Sequence, residues 1–389
     1  MDRVGAQRQL ILLAAGTQAR RRTMRERASL LANEIDWTQL AEVLSIRRLL
    51  PTLGPRIVEL AGEHASDDFR TAVDRSLEAG RRQGVLLQLV SRRVSAELAR
   101  AGIRSTPLKG PSLGDAIYGD PGRRPSSDID LLVARERLRD AVEVVRELGY
   151  GAPTDHVDRD GLPQLHFALV HERGELPPVE LHWRVHWYEQ SFAGERLLGG
   201  SDVREDWRPA PADELAALLL FYARDGFLDV RLATDVGAWW DAFGKRLAPG
   251  SLRAVLDAYP ALVRVLTASA RVAEKIVGLP AGELIGWERK LDRRGRIAVR
   301  LANPNPHGTS QAQLYADMGL IDGLLAPRGG MGAFARRQLL PPREVLRERA
   351  QHAQQGRPSS SMGHGMRVLG RYGLALARLA RAPETLRAA

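Results

Sequence analysis

The segment SDIDLLV at residues 127–133 is the feature that most restricts the folds open to this chain. It alternates acidic and apolar residues and then continues as an apolar run, which is typical of a buried β-strand. Because side chains alternate between the faces of a strand, Asp128 and Asp130 are predicted to share one face, with Ile129 and Leu131 in the core. Two neighbouring carboxylates repel each other, and a shared divalent cation relieves that repulsion. Oxygen ligands of this kind favour Mg²⁺ or Mn²⁺ over Zn²⁺.

A second segment, VELHWRVHW at residues 179–187, follows the same two-residue period. Its alternation predicts one apolar face and one polar face, and the polar face contains Glu180 and His182. If this strand lies beside SDIDLLV in a sheet, Glu180 becomes a third carboxylate next to Asp128 and Asp130. Three carboxylates are the set that a two-metal site for phosphoryl or nucleotidyl transfer requires.

The patterns along the 389-residue chain predict helical segments on both sides of an α/β or α+β core. Apolar residues at three-and-four spacing indicate helices before residue 101, interrupted at Pro51 and Pro55, and again after residue 200. Between these segments the predicted order is strand, helix, strand, helix, strand, strand. We therefore divide the chain into a helical segment at 1–100, a core at 101–200, a helical lobe at 201–353, and a linker with a basic amphipathic helix at 354–389.

Composition excludes several classes of protein and site. The chain has no cysteine, so it has no disulfide, no thiolate metal site and no cysteine nucleophile. No apolar stretch approaches the length of a membrane span, and the N-terminus lacks the pattern of a signal peptide, so we predict a cytoplasmic protein. The net charge of +10 favours acidic partners such as nucleotides or nucleic acid. The basic C-terminal helix is predicted to dock on the body of the protein, with contact to a membrane surface as the alternative.

Lys109 is unusual in a chain that uses arginine almost exclusively. Of 57 basic residues only four are lysines, and Lys109 is the only lysine in the first 240 residues. It begins the turn Lys109-Gly110-Pro111, which is followed by Ser112. A compact ammonium acts on a phosphate as a point charge, in contrast to the fork of a guanidinium. The turn therefore indicates a phosphate contact, with a chance lysine at a surface turn as the alternative.

Taken together, these segments resemble the uncharacterised nucleotidyltransferase family of the DNA polymerase beta-like nucleotidyltransferase superfamily. The shared pattern is a Lys-Gly turn, a Tyr-x-x-Pro-Gly-x-Arg-Pro stretch from Tyr118, Asp-Ile-Asp-Leu-Leu-Val, and a later Glu-Leu-His-Trp strand. It covers residues 30–245 well. The chain departs from the broader superfamily at the turn, where Gly-Ser or Gly-Gly is usual, and in the longer gap between Gly110 and Asp128. The resemblance implies an α+β fold, with a polymerase-beta-like core of a small mixed sheet and helices between an N-terminal helical segment and a C-terminal helical lobe.

The resemblance also implies roles for individual residues. Asp128, Asp130 and Glu180 would be catalytic and would coordinate Mg²⁺ or Mn²⁺. The nucleotide, ATP or another NTP, would be bound by Lys109, Gly110, Ser112 and Arg124, and the backbone at Gly110 would approach its β- and γ-phosphates at the start of a helix.

Several other polar residues keep two interpretations. His182 either tunes the site or contacts substrate, or it is a structural histidine. Arg231 and Asp235 either form an intrahelical pair or face the nucleotide cleft. Arg123, beside Arg124, is interpreted as a loop surface charge. Five histidines lie between residues 156 and 186, but no pair has the helical spacing of metalloproteases, so a zinc site is not favoured.

The predicted activity is metal-dependent transfer of an NMP from an NTP to an acceptor hydroxyl, with release of pyrophosphate. The acceptor is left open between a small molecule, a peptide, a protein and tRNA. The alternatives are a tailoring transferase on a peptide or saccharide product, a tRNA-modifying toxin-like nucleotidyltransferase, and a non-catalytic nucleotide-binding scaffold.

Overall fold

The fold was taken from a computed structural model. It describes residues 3–155, 157–158, 160–199, 208–286, 290–304, 311–327 and 361–381, together with residues 329, 330, 332, 334, 335, 339, 340 and 346. Residues 354–360 of the predicted linker and most of residues 332–353 of the helical lobe lie outside the described residues. The linker, QQGRPSSSMGHGM, was predicted to be flexible, but its residues 361–366 are helical.

Four short strands form one mixed sheet. They are β1 (Ser105–Pro107), β2 (Ile129–Val133), β3 (His166–Leu169) and β4 (Val179–His182). Their spatial order is β1-β2-β4-β3, with β2 and β4 parallel and the two outer strands antiparallel to their neighbours. A small mixed sheet in a mostly helical chain confirms the predicted α+β fold.

Helices precede, interrupt and follow the sheet. Before it come α1 (Arg3–Ala15), α2 (Gln18–Thr23), α3 (Arg25–Ala32), α4 (Trp37–Ile46), α5 (Leu50–Ala61) and α6 (Asp67–Arg100). Within it come α7 (Pro111–Tyr118) and α8 (Leu138–Glu147). After it come α9 (Pro211–Arg224), α10 (Val230–Phe243), α11 (Ser251–Ala258), α12 (Val263–Val277), α13 (Ala281–Ile285), α14 (Arg293–Leu301), α15 (Gln311–Leu325) and α16 (Ser361–Arg381). The order strand, helix, strand, helix, strand, strand is as predicted.

Two local predictions were wrong. The strand predicted to reach Trp187 ends at His182, because the amide of Val185 donates to the Glu189 carboxylate at 2.7 Å instead of to a neighbouring strand. Pro55 lies inside α5 and does not interrupt it. The break before α5 falls at residues 47–49, and Pro51 sits in the first turn, where its missing N–H is not needed.

The two faces of the sheet bury their side chains in different hydrophobic clusters. Leu131 and Leu181 pack with α6 and α8. Leu132, on the opposite face of β2, packs into a second cluster that contains residues of α1, α5, α9, α10 and α12. Asp130 shares the face of Leu132, since side chains alternate along the strand. The helices after the sheet therefore cover the face that carries the polar residues.

The C-terminal helix α16 lies against α15. In the described part of the chain, no helix is both long enough and apolar enough to cross a membrane. Helix α16 packs Val368 and Tyr372 against Ala316 and Leu320 of α15. The two helical segments on either side of the sheet share the second cluster, while the division of the chain into four segments stays a prediction.

Candidate active site

The site is built on two adjacent parallel strands. Residues of β2 and β4 pair in register, and Asp130 stands opposite Glu180. The neighbouring pairs, Ile129 with Val179 and Leu131 with Leu181, point to the other face and are buried there. Strands β2 and β4 are therefore neighbours, as the prediction of Glu180 as a third carboxylate required.

His182 lies between the two carboxylates. Its Nε2 atom is 3.0 Å from Asp130 Oδ1 and 3.1 Å from Glu180 Oε2. Carboxylates accept hydrogen bonds, so Nε2 carries the proton that both oxygens share. The side chain of His182 is fully buried, as is that of Asp130, whereas Glu180 is partly exposed. His182 thus contacts both acidic residues of the site.

Lys109 completes the contacts of Asp130. It follows β1, and the amide of the preceding Leu108 donates to the carbonyl of Asp130 at 3.1 Å. This places Lys109 Nζ 2.8 Å from Asp130 Oδ1 and 5.1 Å from the ring centre of Phe221 in α9. The lysine that stood out by its rarity is therefore part of the carboxylate cluster.

The protonation of the two carboxylates is governed by their neighbours. Burial alone would raise the pKa of Asp130, but the Lys109 ammonium and the hydrogen bond from His182 hold it well below its ordinary value. Burial also acts to raise the pKa of Glu180, and the hydrogen bond from His182 together with His166 lowers it overall. Both groups are therefore ionised near neutral pH, as metal ligation requires.

His166 on β3 extends the cluster and was not singled out by the sequence. It pairs with His182 across the antiparallel ladder, and the two rings are 4.6 Å apart. Its Nε2 atom is 3.7 Å from Glu180 Oε2. Burial and the neighbouring His182 lower the pKa of His166 to about 4, so it is neutral at physiological pH. One feature of the sequence could have indicated His166. Two-residue alternation places His166 and Ala168 on the same face of β3, and the neighbouring strand β4 has a polar face.

The other predicted ligands lie at the ends of the same elements. Asp128 is partly exposed one residue before β2, and its Oδ1 accepts a hydrogen bond from Ser126 Oγ at 2.8 Å. Gly110 precedes α7 with φ 80° and ψ −154°, a conformation that only glycine adopts without strain. Ser112 is exposed in the first turn of α7, where backbone N–H groups have no helical acceptor.

Arg124 and Asp235 form a buried salt bridge with each other. Arg124 Nε lies 2.8 Å from Asp235 Oδ2, and their side chains are 3% and 0% exposed. The hydroxyl of Tyr118 donates to the other oxygen, Asp235 Oδ1, at 2.9 Å. Arg231 is instead 3.5 Å from Asp229 and donates to the carbonyl of Pro125 at 3.3 Å. The intrahelical pair of Arg231 with Asp235 is thus not a salt bridge here.

The covering helices bring further groups that the sequence did not indicate. Phe221 and Arg224 come from the end of α9, and the Arg224 guanidinium is 4.9 Å from the Phe221 ring centre. Arg224 Nη1 and Arg231 Nε are buried without a hydrogen-bond partner among the described residues. Negative charge on Asp229, Asp235, Asp225 and Asp128 outweighs burial and raises the pKa of Arg231. Arg231 thus lies near enough to Asp128, and Arg224 near enough to His166, to affect the charge of the site.

The donor set fits a divalent cation. His166, Glu180 and His182 offer ligand atoms within 4.8 Å of one another. Asp130 lies outside this group of three, but its Oδ1 atom and Glu180 Oε2 contact the same His182 nitrogen, so the two carboxylates lie on either side of one imidazole. Carboxylate oxygens suit Mg²⁺ and Mn²⁺, and added imidazoles shift the preference toward transition metals.

The remaining histidines of the group lie elsewhere. His171 packs against Tyr150, and His186 is buried beside Tyr188. His156 lies outside the described residues. Of the four histidines of this group that the structure describes, His166 and His182 belong to the carboxylate cluster.

Comparison with known families identifies one match. A family model described as an uncharacterised nucleotidyltransferase matches residues 33–277, which is more than half of the chain. No curated protein matches the sequence. The matched residues include all four strands of the sheet, and therefore β2 with Asp130 and β4 with Glu180.

Proposed function

The chain belongs to the family of uncharacterised nucleotidyltransferases, and we propose that its carboxylate site transfers an NMP from an NTP to an acceptor hydroxyl, with release of pyrophosphate. The observation that carries the proposal is the register pair of Asp130 and Glu180 with Lys109 beside it. This set combines anionic metal ligands with a cation suited to a phosphate, as nucleotidyl transfer requires.

Asp128, Asp130 and Glu180 would hold the metal. Bound Mg²⁺ or Mn²⁺ would neutralise charge on the phosphates and lower the pKa of the attacking hydroxyl. The low pKa of Asp130 keeps its carboxylate ionised for this purpose. His182 orients both Asp130 and Glu180, since its one nitrogen contacts each of them.

The triphosphate would lie between the sheet and the covering helices. The Lys109 ammonium reaches into this region, and the free amides at the start of α7 follow it at Ser112. Arg224 and Arg231, on the covering helices, would supply further positive charge. The acceptor oxygen then bonds to the α-phosphorus, the bond from that phosphorus to the β-bridging oxygen breaks, and the hydroxyl proton goes to solvent.

Label transfer tests this activity. The chain is incubated with each α-labelled NTP and Mg²⁺ or Mn²⁺, in the presence of a small-molecule extract, peptides, protein or tRNA. We expect the label to move to one acceptor class with wild type and to stay in the NTP with Asp130→Asn and Glu180→Gln. Asp115→Asn, an exposed carboxylate on α7, is the matched control and is expected to retain activity.

Two results would count against the proposal. Wild type that binds NTP but releases no pyrophosphate with any acceptor class would favour the non-catalytic scaffold. Retained activity in both Asp130→Asn and Glu180→Gln would show that the chemistry occurs elsewhere. The position of the label names the acceptor, which the fold alone does not specify.

A further inference from the structure

A separate cavity of about 250 Å³ lies away from the carboxylate cluster, between the N-terminal helices and the pair α7 and α10. Its walls come from α2, α5, α7, α10 and the turn Pro121–Arg123. None of its lining residues is a carboxylate, lysine or histidine of the site on β2 and β4.

Three arginines converge on this cavity. Arg21 comes from α2, Arg56 from α5 and Arg123 from the turn. The guanidinium carbons of Arg56 and Arg123 are 5.5 Å and 5.2 Å from the centre of the same ring, that of Tyr118. Burial and the charge of Arg56 lower the pKa of both Arg21 and Arg123. Arg56 is thus close enough to repel both Arg21 and Arg123.

The acidic residues of the cavity do not balance these cations. Asp241 is 3.5 Å from Arg21, but its oxygens also accept the amide of Gln18 at 2.8 Å and 2.9 Å. Glu59 has a side chain that is 57% exposed, and it lies 3.9 Å from Arg25, outside the cavity. Within the part of the chain that the structure describes, Arg56 and Arg123 have no carboxylate at salt-bridge distance.

Two guanidinium donors are also left without acceptors. The Nε atoms of Arg21 and Arg123 are buried and have no hydrogen-bond partner among the described residues. Arg56 is 6% exposed and donates one hydrogen bond, from Nη1 to the carbonyl of Ala14 at 3.2 Å. Both atoms belong to arginines that line the cavity, so the guanidinium groups there are not fully paired within the described part of the protein.

We propose that this cavity binds a small phosphate-bearing anion at a site distinct from the nucleotidyl-transfer site. Guanidinium groups match the oxygens of a phosphate, and several together favour a group with more than one negative charge. The face of the Tyr118 ring is a flat surface that a bound anion can contact. The Tyr118 hydroxyl is not free for this, because it donates a hydrogen bond to Asp235. An occupant would therefore touch the C-terminal end of α7, whose N-terminal end follows Gly110.

Calorimetric titration of the full chain with pyrophosphate tests the proposal. EDTA is included so that metal-dependent binding at the carboxylates is suppressed. We expect saturable binding with wild type and binding about tenfold weaker or more in Arg21→Gln and in Arg123→Gln. Arg22→Gln is the matched control, because it removes the same charge from an exposed position on the same helix. Orthophosphate and AMP in parallel titrations distinguish a free phosphate from a phosphate ester.

Other outcomes would overturn the proposal. Wild type with no binding below about 10 mM pyrophosphate would do so. So would binding that is lost in Lys109→Gln and kept in Arg123→Gln, since the anion would then occupy the transfer site. If the arginine variants fail to fold, modification of wild type by phenylglyoxal with peptide mapping replaces them. Pyrophosphate must then protect Arg21 and Arg123 but not Arg22.

Discussion

Lys109 holds its ammonium 2.8 Å from Asp130 Oδ1 and 5.1 Å from the Phe221 ring centre, with 16% of its side chain exposed. A guanidinium is wider than an ammonium and presents a planar fork, so Lys109→Arg does not reproduce these contacts. We expect this substitution to lower kcat/KM for pyrophosphate release about 100-fold. A coupled assay of released pyrophosphate measures the effect.

The control for this substitution is Lys245→Arg, at an exposed lysine. It is expected to leave kcat/KM unchanged, because a surface charge is preserved. Equal activity of both variants would show that Lys109 is an ordinary surface lysine, as the alternative interpretation of the turn held.

His166 gives the folded chain a pH dependence. Its pKa is lowered to about 4 from an ordinary value of 6.5. Between these values the unfolded chain binds a proton that the folded chain does not, so stability falls as pH falls through this window. The contribution is fully present above pH 6.5 and amounts to up to about 3 kcal/mol.

We expect His166→Gln to lose less stability than wild type between pH 7 and pH 4.5. Urea unfolding at both pH values, with EDTA present, gives the difference. His64→Gln, at an exposed histidine, should behave as wild type does. If wild type and His166→Gln change by the same amount, His166 is not held neutral by its surroundings.

The carboxylates could be predicted from the sequence because a strand period assigns faces without knowledge of the fold. That Asp130 and Glu180 lie side by side follows from alternation and from one assumption, that their strands are neighbours. The register confirms this assumption. Phe221 and Arg224 could not be predicted in this way. Their place depends on how α9 docks on the sheet, which local periodicity does not encode.

At the scale of elements, the Tyr-x-x-Pro-Gly-x-Arg-Pro stretch mainly joins helices. Tyr118 and Arg124 both contact Asp235 of α10. A Cβ on Gly122 would come within 2.5 Å of the backbone nitrogen of Arg81 in α6, so only glycine permits this close approach. The sequence showed that the stretch was distinctive, but its buried contacts with α6 and α10 required the structure.

Gly110 lies at the boundary before α7, and its substitution is expected to affect both stability and NTP binding. With φ at 80° and ψ at −154°, an alanine there is strained by about 1–3 kcal/mol, although no atom lies within 4 Å of the added Cβ. We expect Gly110→Ala to destabilise the chain by that amount and also to raise KM for the NTP. Unfolding curves and initial rates measure the two effects.

Gly62, which follows α5, provides the matched control. Its φ of 57° and ψ of −127° are also restricted to glycine, and a Cβ there also meets open space. Gly62→Ala should therefore cost similar stability and leave KM unchanged. A raised KM in both variants would mean that lost stability, and not the turn before α7, limits nucleotide binding.

At the scale of the whole molecule, the pair of Arg124 and Asp235 connects the loop before β2 to the helices that cover the site. Both side chains are almost fully buried, so removing one partner leaves an uncompensated charge. We expect Arg124→Met and Asp235→Leu each to lower the free energy of unfolding by about 3–5 kcal/mol. Chemical denaturation measures each change.

The double variant Arg124→Met/Asp235→Leu separates the structural role of Arg124 from the nucleotide contact that the family resemblance implies. Apolar residues of similar size replace a buried ion pair at little net cost, so most of the lost stability should return, apart from the contribution of the hydrogen bond that Tyr118 loses with Asp235. With only 3% of its side chain exposed, Arg124 has little surface to offer a nucleotide, so we expect the double variant to have the same KM for the NTP as wild type. A double variant that is stable but keeps a raised KM would show instead that Arg124 contacts the nucleotide directly.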